Sequence, residues 1–132
     1  MKIREIVQAL KAEVYCSADN LSREVSTVFA GDMLSDVLAL GTPPDVLVTG
    51  LLNPQVIRTA VMQDSACVVF VRGKTPPAGI VTLAESSSVC VLSTDCDMFK
   101  VCSLLSPMDI TPCPPKPDKM ISRFIVTLPP YP

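Results

Sequence analysis

Three short stretches carry residues able to hold an anion: Gly50 with Asn53, the run Arg72-Gly73-Lys74-Thr75, and the pair Ser93-Thr94. Each follows an apolar run and precedes a segment of helical character. Free N–H groups at a helix start, with the positive end of its dipole, favour negative charge. Arg72 and Lys74 add two cations, and Gly50 and Gly73 permit close backbone approach. That is chemistry for a phosphorylated small molecule. The same Asn, Thr and Ser side chains also have a plainer use, as caps that satisfy helix ends. Gly73-Lys74-Thr75 is not a Walker-type phosphate loop, because the upstream glycine at the required spacing is missing.

A second group lies upstream. Gly31-Asp32 and Ser35-Asp36 place two carboxylates four residues apart, with Ser35 beside them. Such a pair can hold Mg²⁺ together with a substrate phosphate; it also suits an ordinary helix start, with Asp32 as N-cap and acid in the first turn. Arg58, five residues after Asn53, can pair with Asp36, Asp64 or a partner subunit. An exposed pair of that kind is worth about 0–1 kcal/mol.

Other chemistries are excluded or disfavoured. The chain has no histidine, so Ser-His-Asp and Cys-His catalysis and His-ligated metals are impossible within it. The six cysteines, Cys16, Cys67, Cys90, Cys96, Cys102 and Cys113, include no Cys-x-x-Cys pair. An iron–sulfur cluster needs about four converging thiolates. Cys67 and Cys90 fall in apolar runs and read as small core residues. Cys96 falls in a helix's first turn, which lowers a thiol pKa, but Asp95 and Asp97 oppose that. No cofactor and no metal is expected.

The elements that position these residues follow from patterning. The chain has 132 residues, 48% hydrophobic and 18% charged, with net charge -2. That is one domain with a real core, and the slightly negative balance argues against nucleic acid. The start is broken by charge and is not a signal peptide. Ala66–Val71 is among the longest apolar runs, far short of the roughly 20 residues a span needs. A cytoplasmic location with free thiols is expected.

Ile3, Ile6, Val7 and Leu10 recur at helical spacing, which predicts a helix over 2–12. Short strands are expected at 13–16 and 25–30, with a helix from Asp32 to about 39. The middle then repeats strand and helix three times. The predicted strands are 45–49, 66–71 and 88–92. The predicted helices open at Asn53-Pro54, at Thr75-Pro76-Pro77, and at Ser93-Thr94, the last running from 95 to about 105. Apolar strands alternating with helices predict a three-layer α/β/α sandwich with a mainly parallel sheet. In such sheets ligands bind outside the carboxyl ends of the strands, where the three anion-binding stretches should meet.

The α/β domain is assigned to 1–106 and an extended, proline-rich C-terminal tail to 107–132. Pro107, Pro112, Pro114, Pro115, Pro117, Pro129, Pro130 and Pro132 lie in the tail, which therefore favours polyproline or extended backbone. Within it, residues 120–128 read as one strand, which needs a sheet edge in its own subunit or a neighbour's.

Residues 48–60, starting Val48-Thr49-Gly50-Leu51, and then Val68-Val69-Phe70-Val71-Arg72-Gly73-Lys74-Thr75-Pro76, resemble the DRTGG domain family. So do Gly31–Asp36 before them, and Leu92-Ser93-Thr94 leading to Met98-Phe99 after them. The resemblance covers about residues 1–106. It is similar to the N-terminal domain of HPr kinase/phosphorylase, and such domains occur beside CBS domains in regulated pyrophosphatases. It implies a three-layer α/β sandwich with a regulatory or assembly role, with no activity of its own established. Where the family often has Thr-Gly-Asp-Arg, this chain has Thr49-Gly50-Leu51-Leu52, so the acid and base of that loop are missing. The form resembles small stand-alone members, some encoded near iron-hydrogenase systems.

The expected function is a non-catalytic regulatory or assembly module. It is expected to be homodimeric, with a nucleotide or other phosphorylated ligand at the strand ends. Two alternatives stand beside it. One is an adaptor for an iron-hydrogenase-type metalloenzyme system, docking a protein partner through the tail. The other is a small Mg²⁺-dependent enzyme acting on a phosphate compound through Asp32, Asp36 and Lys74. No membrane association is expected.

Overall fold

The computed structural model describes residues 1–39 and 41–114. The strand expected at 120–128 lies outside the described residues, as does most of the proline-rich segment. Ile3–Leu10 forms α1 and Glu13–Cys16 forms β1. A 3₁₀ turn spans Ala18–Ser22. Then follow β2 (Thr27–Ala30), α2 (Leu34–Ala39), β3 (Val46–Thr49), α3 (Pro54–Met62), β4 (Cys67–Phe70), α4 (Ala78–Ser86), β5 (Cys90–Ser93) and α5 (Met98–Leu105). A two-residue strand, β6 (Thr111–Pro112), ends the series.

The strands form one sheet in the order β1-β5-β4-β3-β2-β6. β3, β4 and β5 pair parallel, with Val48 opposite Val69 and Val69 opposite Leu92. β2 joins β3 in parallel, and β6 joins β2 in parallel at Thr27 and Val28. β1 alone runs antiparallel, against β5. The three central strands are buried along their whole length, as expected of strands covered on both faces.

Side chains alternate between two cores because the strand period is two. Val46, Val48, Cys67, Val69, Cys90 and Leu92 meet α1 and α5. Leu47, Val68, Phe70 and Val91 meet α2, α3 and α4. Helices thus cover both faces of the mostly parallel sheet, and this is the expected α/β architecture. No described helix is long and apolar enough to cross a membrane.

Two helix starts differ from expectation. Asp32 does not cap α2, which begins at Leu34; its carboxylate turns instead to the end of β3. α5 begins not at Asp95 but at Met98, capped by Asp97, whose Oδ1 accepts from the Lys100 N–H at 2.8 Å. Asn53 caps α3 as expected, accepting from the Gln55 N–H at 2.8 Å ahead of Pro54.

Candidate functional site

The carboxyl ends of β3, β4 and β5 come together through specific bonds. At the end of β3, the Thr49 hydroxyl donates to Asp32 Oδ1 at 3.0 Å, and the Gly50 N–H donates to the same oxygen at 2.8 Å. Thr49 Oγ1 in turn accepts from the Leu51 N–H at 3.1 Å. The Gly50 N–H holds the Asp32 carboxyl below the usual carboxylate range against the opposing effect of burial, helped by the Thr49 hydroxyl and the charges of Arg72 and Lys74.

The loop after β4 is tightly shaped. Arg72 and Gly73 both take left-handed backbone, with φ of 64° and 66°. Non-glycine residues enter that region at a cost of about 1–2 kcal/mol. Two bonds hold the turn in place: the Arg72 N–H donates to the Cys96 carbonyl at 2.8 Å, and the Gly73 N–H to the Thr94 carbonyl at 2.7 Å. The turn carries the Arg72 guanidinium over Gly50, where a Cβ would stand 3.1 Å from Nη2. Lys74 reaches the same place, its ammonium donating to the Gly50 carbonyl. At the end of β5, the Ser93 hydroxyl donates to the Lys74 carbonyl at 2.6 Å.

Gly50, Arg72, Lys74 and Ser93 are therefore joined in one cluster. Beside it a cleft of about 280 Å³ is lined by Asp32, Gly50, Arg72, Asp97, Met98 and Phe99. A smaller polar cleft, about 110 Å³, lies across the Arg72-Gly73 turn and includes Thr75, Ser93, Gly73 and Asp95. The neighbourhood has mixed charge, Arg72 and Lys74 standing among Asp32, Asp95 and Asp97.

The other sequence candidates lie elsewhere or are already engaged. Thr94 is buried, its hydroxyl donating to the Leu10 carbonyl at 2.8 Å and accepting from the Cys96 N–H at 3.3 Å. It ties α1 to the sheet and lines neither cleft. Asn53 is exposed, its side-chain oxygen engaged as the α3 cap. Ser35 and Asp36 belong to α2 and do not line the cleft. Since Asp32 stands before that helix, it does not share a helix face with Asp36. Arg58 is exposed on α3 and has no ion pair among the described residues.

Sequence reasoning missed Asp97, Met98 and Phe99 as cleft residues. Phe99 is 82% exposed, an uncommon state for an aromatic ring at a cleft wall. The spacing of Asp97 before Lys100 was a legible cap signal; the exposure of Phe99 left no trace in periodicity.

The cysteines are free thiols among the described residues. Cys67 and Cys90 face each other across β4 and β5 in the core. The neighbouring Cys90 thiol and burial push the Cys67 thiol well up. No cluster of three or more His, Cys, Asp or Glu able to hold a metal occurs among the described residues.

The profile of the DRTGG domain matches residues 5–108. A solved structure with the same fold is that of the CBS and DRTGG domains of the regulatory region of Clostridium perfringens pyrophosphatase, complexed with its activator diadenosine tetraphosphate. It superposes with a TM-score of 0.65 at 18% identity, covering 79% of this chain and 45% of that one. The chain thus spans less than half of that regulatory region. A search of curated proteins returns no match.

Proposed function

The chain belongs to the DRTGG domain family, and from that premise we propose that it is a non-catalytic regulatory module, a homodimer that binds a nucleotide or another phosphorylated ligand at the carboxyl ends of β3, β4 and β5. The observation that carries this reading is the joining of Gly50, Arg72, Lys74 and Ser93 into one cluster beside an open cleft. Arg72 and Lys74 converge on the Gly50 backbone, where a phosphate would become the ammonium's partner in place of the carbonyl. Asp32 holds that backbone still through Thr49 and Gly50. The regulatory role is supported by the pyrophosphatase relative, whose regulatory region takes a dinucleoside polyphosphate activator.

A Mg²⁺ enzyme using Asp32 with Asp36 gains no support, since Asp36 does not line the cleft and Asp32 Oδ1 already accepts two hydrogen bonds. A native mass spectrum of the purified protein tests the reading. A dimer that gains mass on adding a nucleoside polyphosphate supports it. A monomer, or a dimer that takes up no phosphorylated compound at millimolar concentration, contradicts it.

A further inference from the structure

α5 is held to the sheet by Val101 and Leu105, both buried, with Met98 and Leu104 packed beside them. Phe99 belongs to neither core. It is the most exposed large apolar side chain among the described residues. The other two described phenylalanines are packed: Phe70 is fully buried, and Phe29 lies against the α2, α3 and α4 core. An aromatic ring left in water gives up the stabilisation that burial would bring. The exposed Met33 and Met62 do not line the cleft beside Gly50, whereas Phe99 does.

That cleft has two unlike walls. The strand ends bring Gly50, Val71 and Arg72, with Asp32 next to them; the start of α5 brings Asp97, Met98 and Phe99. On the first wall Arg72 supplies a cation, while Asp32 Oδ1 is taken up by Thr49 and Gly50. On the second wall a carboxylate, a thioether and an aromatic ring follow one another. Asp97 Oδ1 accepts from the Lys100 N–H, and its other oxygen has no hydrogen-bond partner among the described residues. A carboxylate repels phosphate, so phosphate belongs on the Arg72 wall. An aromatic face suits a flat π-system, which every nucleobase presents. A carboxylate oxygen accepts from a base's amino group or ring N–H.

We propose that the start of α5 is a nucleobase subsite, where a base stacks on Phe99 and donates to Asp97. The ligand of the strand-end site is then a nucleotide, rather than a sugar phosphate or a bare polyphosphate. This rests on the reading that phosphate binds at Gly50, Arg72 and Lys74, and it names the group that the phosphate carries.

The test is titration calorimetry of ATP and of inorganic tripolyphosphate, which has three phosphates and no base. Both are added to the full chain and to its Phe99→Ala and Phe99→Trp variants. An exposed side chain outside both cores can be replaced without loss of the fold. Phe99→Ala should lose about fivefold or more in ATP affinity and stay within about twofold of wild type for tripolyphosphate. Phe99→Trp should keep ATP affinity. Its indole, the sole tryptophan because the chain has none of its own, should be quenched by ATP and not by tripolyphosphate. Equal ATP affinity in wild type and Phe99→Ala overturns the subsite and leaves the phosphate cluster standing. So does a wild type that takes up tripolyphosphate but not ATP. An equal loss of both ligands in Phe99→Ala also overturns it, since the ring would then act on the phosphate site and not on a base. If neither compound binds wild type at millimolar concentration, the phosphate reading itself fails and the subsite falls with it.

Discussion

The Arg72 guanidinium lies so close over Gly50 that a Cβ there would stand 3.1 Å from Nη2. The glycine at the end of β3 and the cation after β4 therefore define one small surface. The other neighbours of such a Cβ, Asp32 Oδ1 and Val71 Cγ2, are at an ordinary 3.6 Å. Gly50→Ala should fold normally, with stability within about 0.5 kcal/mol of wild type, because the obstructing atom is the end of a flexible side chain. Displacing Arg72 should still weaken a phosphorylated ligand by about tenfold, equivalent to about 1.4 kcal/mol. Parallel denaturation and titration calorimetry separate the two effects.

Gly73 should behave in the opposite way. Its φ of +66° lies in the left-handed region, and a Cβ would approach Asp95 Oδ1 to 2.9 Å. Gly73→Ala should cost about 1–2 kcal/mol of stability, mostly from the backbone conformation. A urea midpoint lowered with unchanged m-value is the expected observation.

Asp32→Ala should remove the acceptor of the buried Thr49 hydroxyl and of the Gly50 N–H. Leaving such donors unsatisfied costs about 1–3 kcal/mol, readable as a lowered urea midpoint.

Asp32→Asn separates charge from shape. The Asp32 carboxyl is held below its ordinary value, so its folded pKa is lower than its unfolded one of about 3.9. A depressed carboxyl contributes stability that is fully present above the unfolded value and lost as pH falls through the folded value. The wild-type advantage over Asp32→Asn should therefore be constant near neutrality and shrink below about pH 4. Melting temperatures of both proteins against pH check this.

Asp32 also shows where sequence reading stops. As a residue before an apolar helix it had the features of an N-cap, yet its partners Thr49 and Gly50 lie 17 and 18 residues away. Thr94 is similar: it stands at the end of an apolar strand, but its hydroxyl is used 84 residues back, at the carbonyl of Leu10. Local patterns were legible where local physics decides. The Asn53-Pro54 helix start and the three buried central strands follow from capping chemistry and apolar runs. The convergence of Gly50, Arg72, Lys74 and Ser93 was legible only as topology, because strand ends of a parallel sheet must meet. The bonds Lys74 to Gly50 and Ser93 to Lys74 depend on side-chain direction across strands. β6 escaped notice because two residues, one a proline, carry no periodicity.

The most direct test of the ligand reading is titration calorimetry of diadenosine tetraphosphate into wild-type protein and into Arg72→Ala/Lys74→Ala, with melting temperatures recorded alongside. The account predicts saturable binding to wild type and a ligand-dependent rise in melting temperature, since ligand at 100 times its Kd adds about 2.7 kcal/mol. In the double variant both should be lost while the fold is kept. Binding that persists undiminished in the double variant would contradict the placement of the site at the strand ends, and its absence from wild type would contradict a dinucleotide ligand altogether.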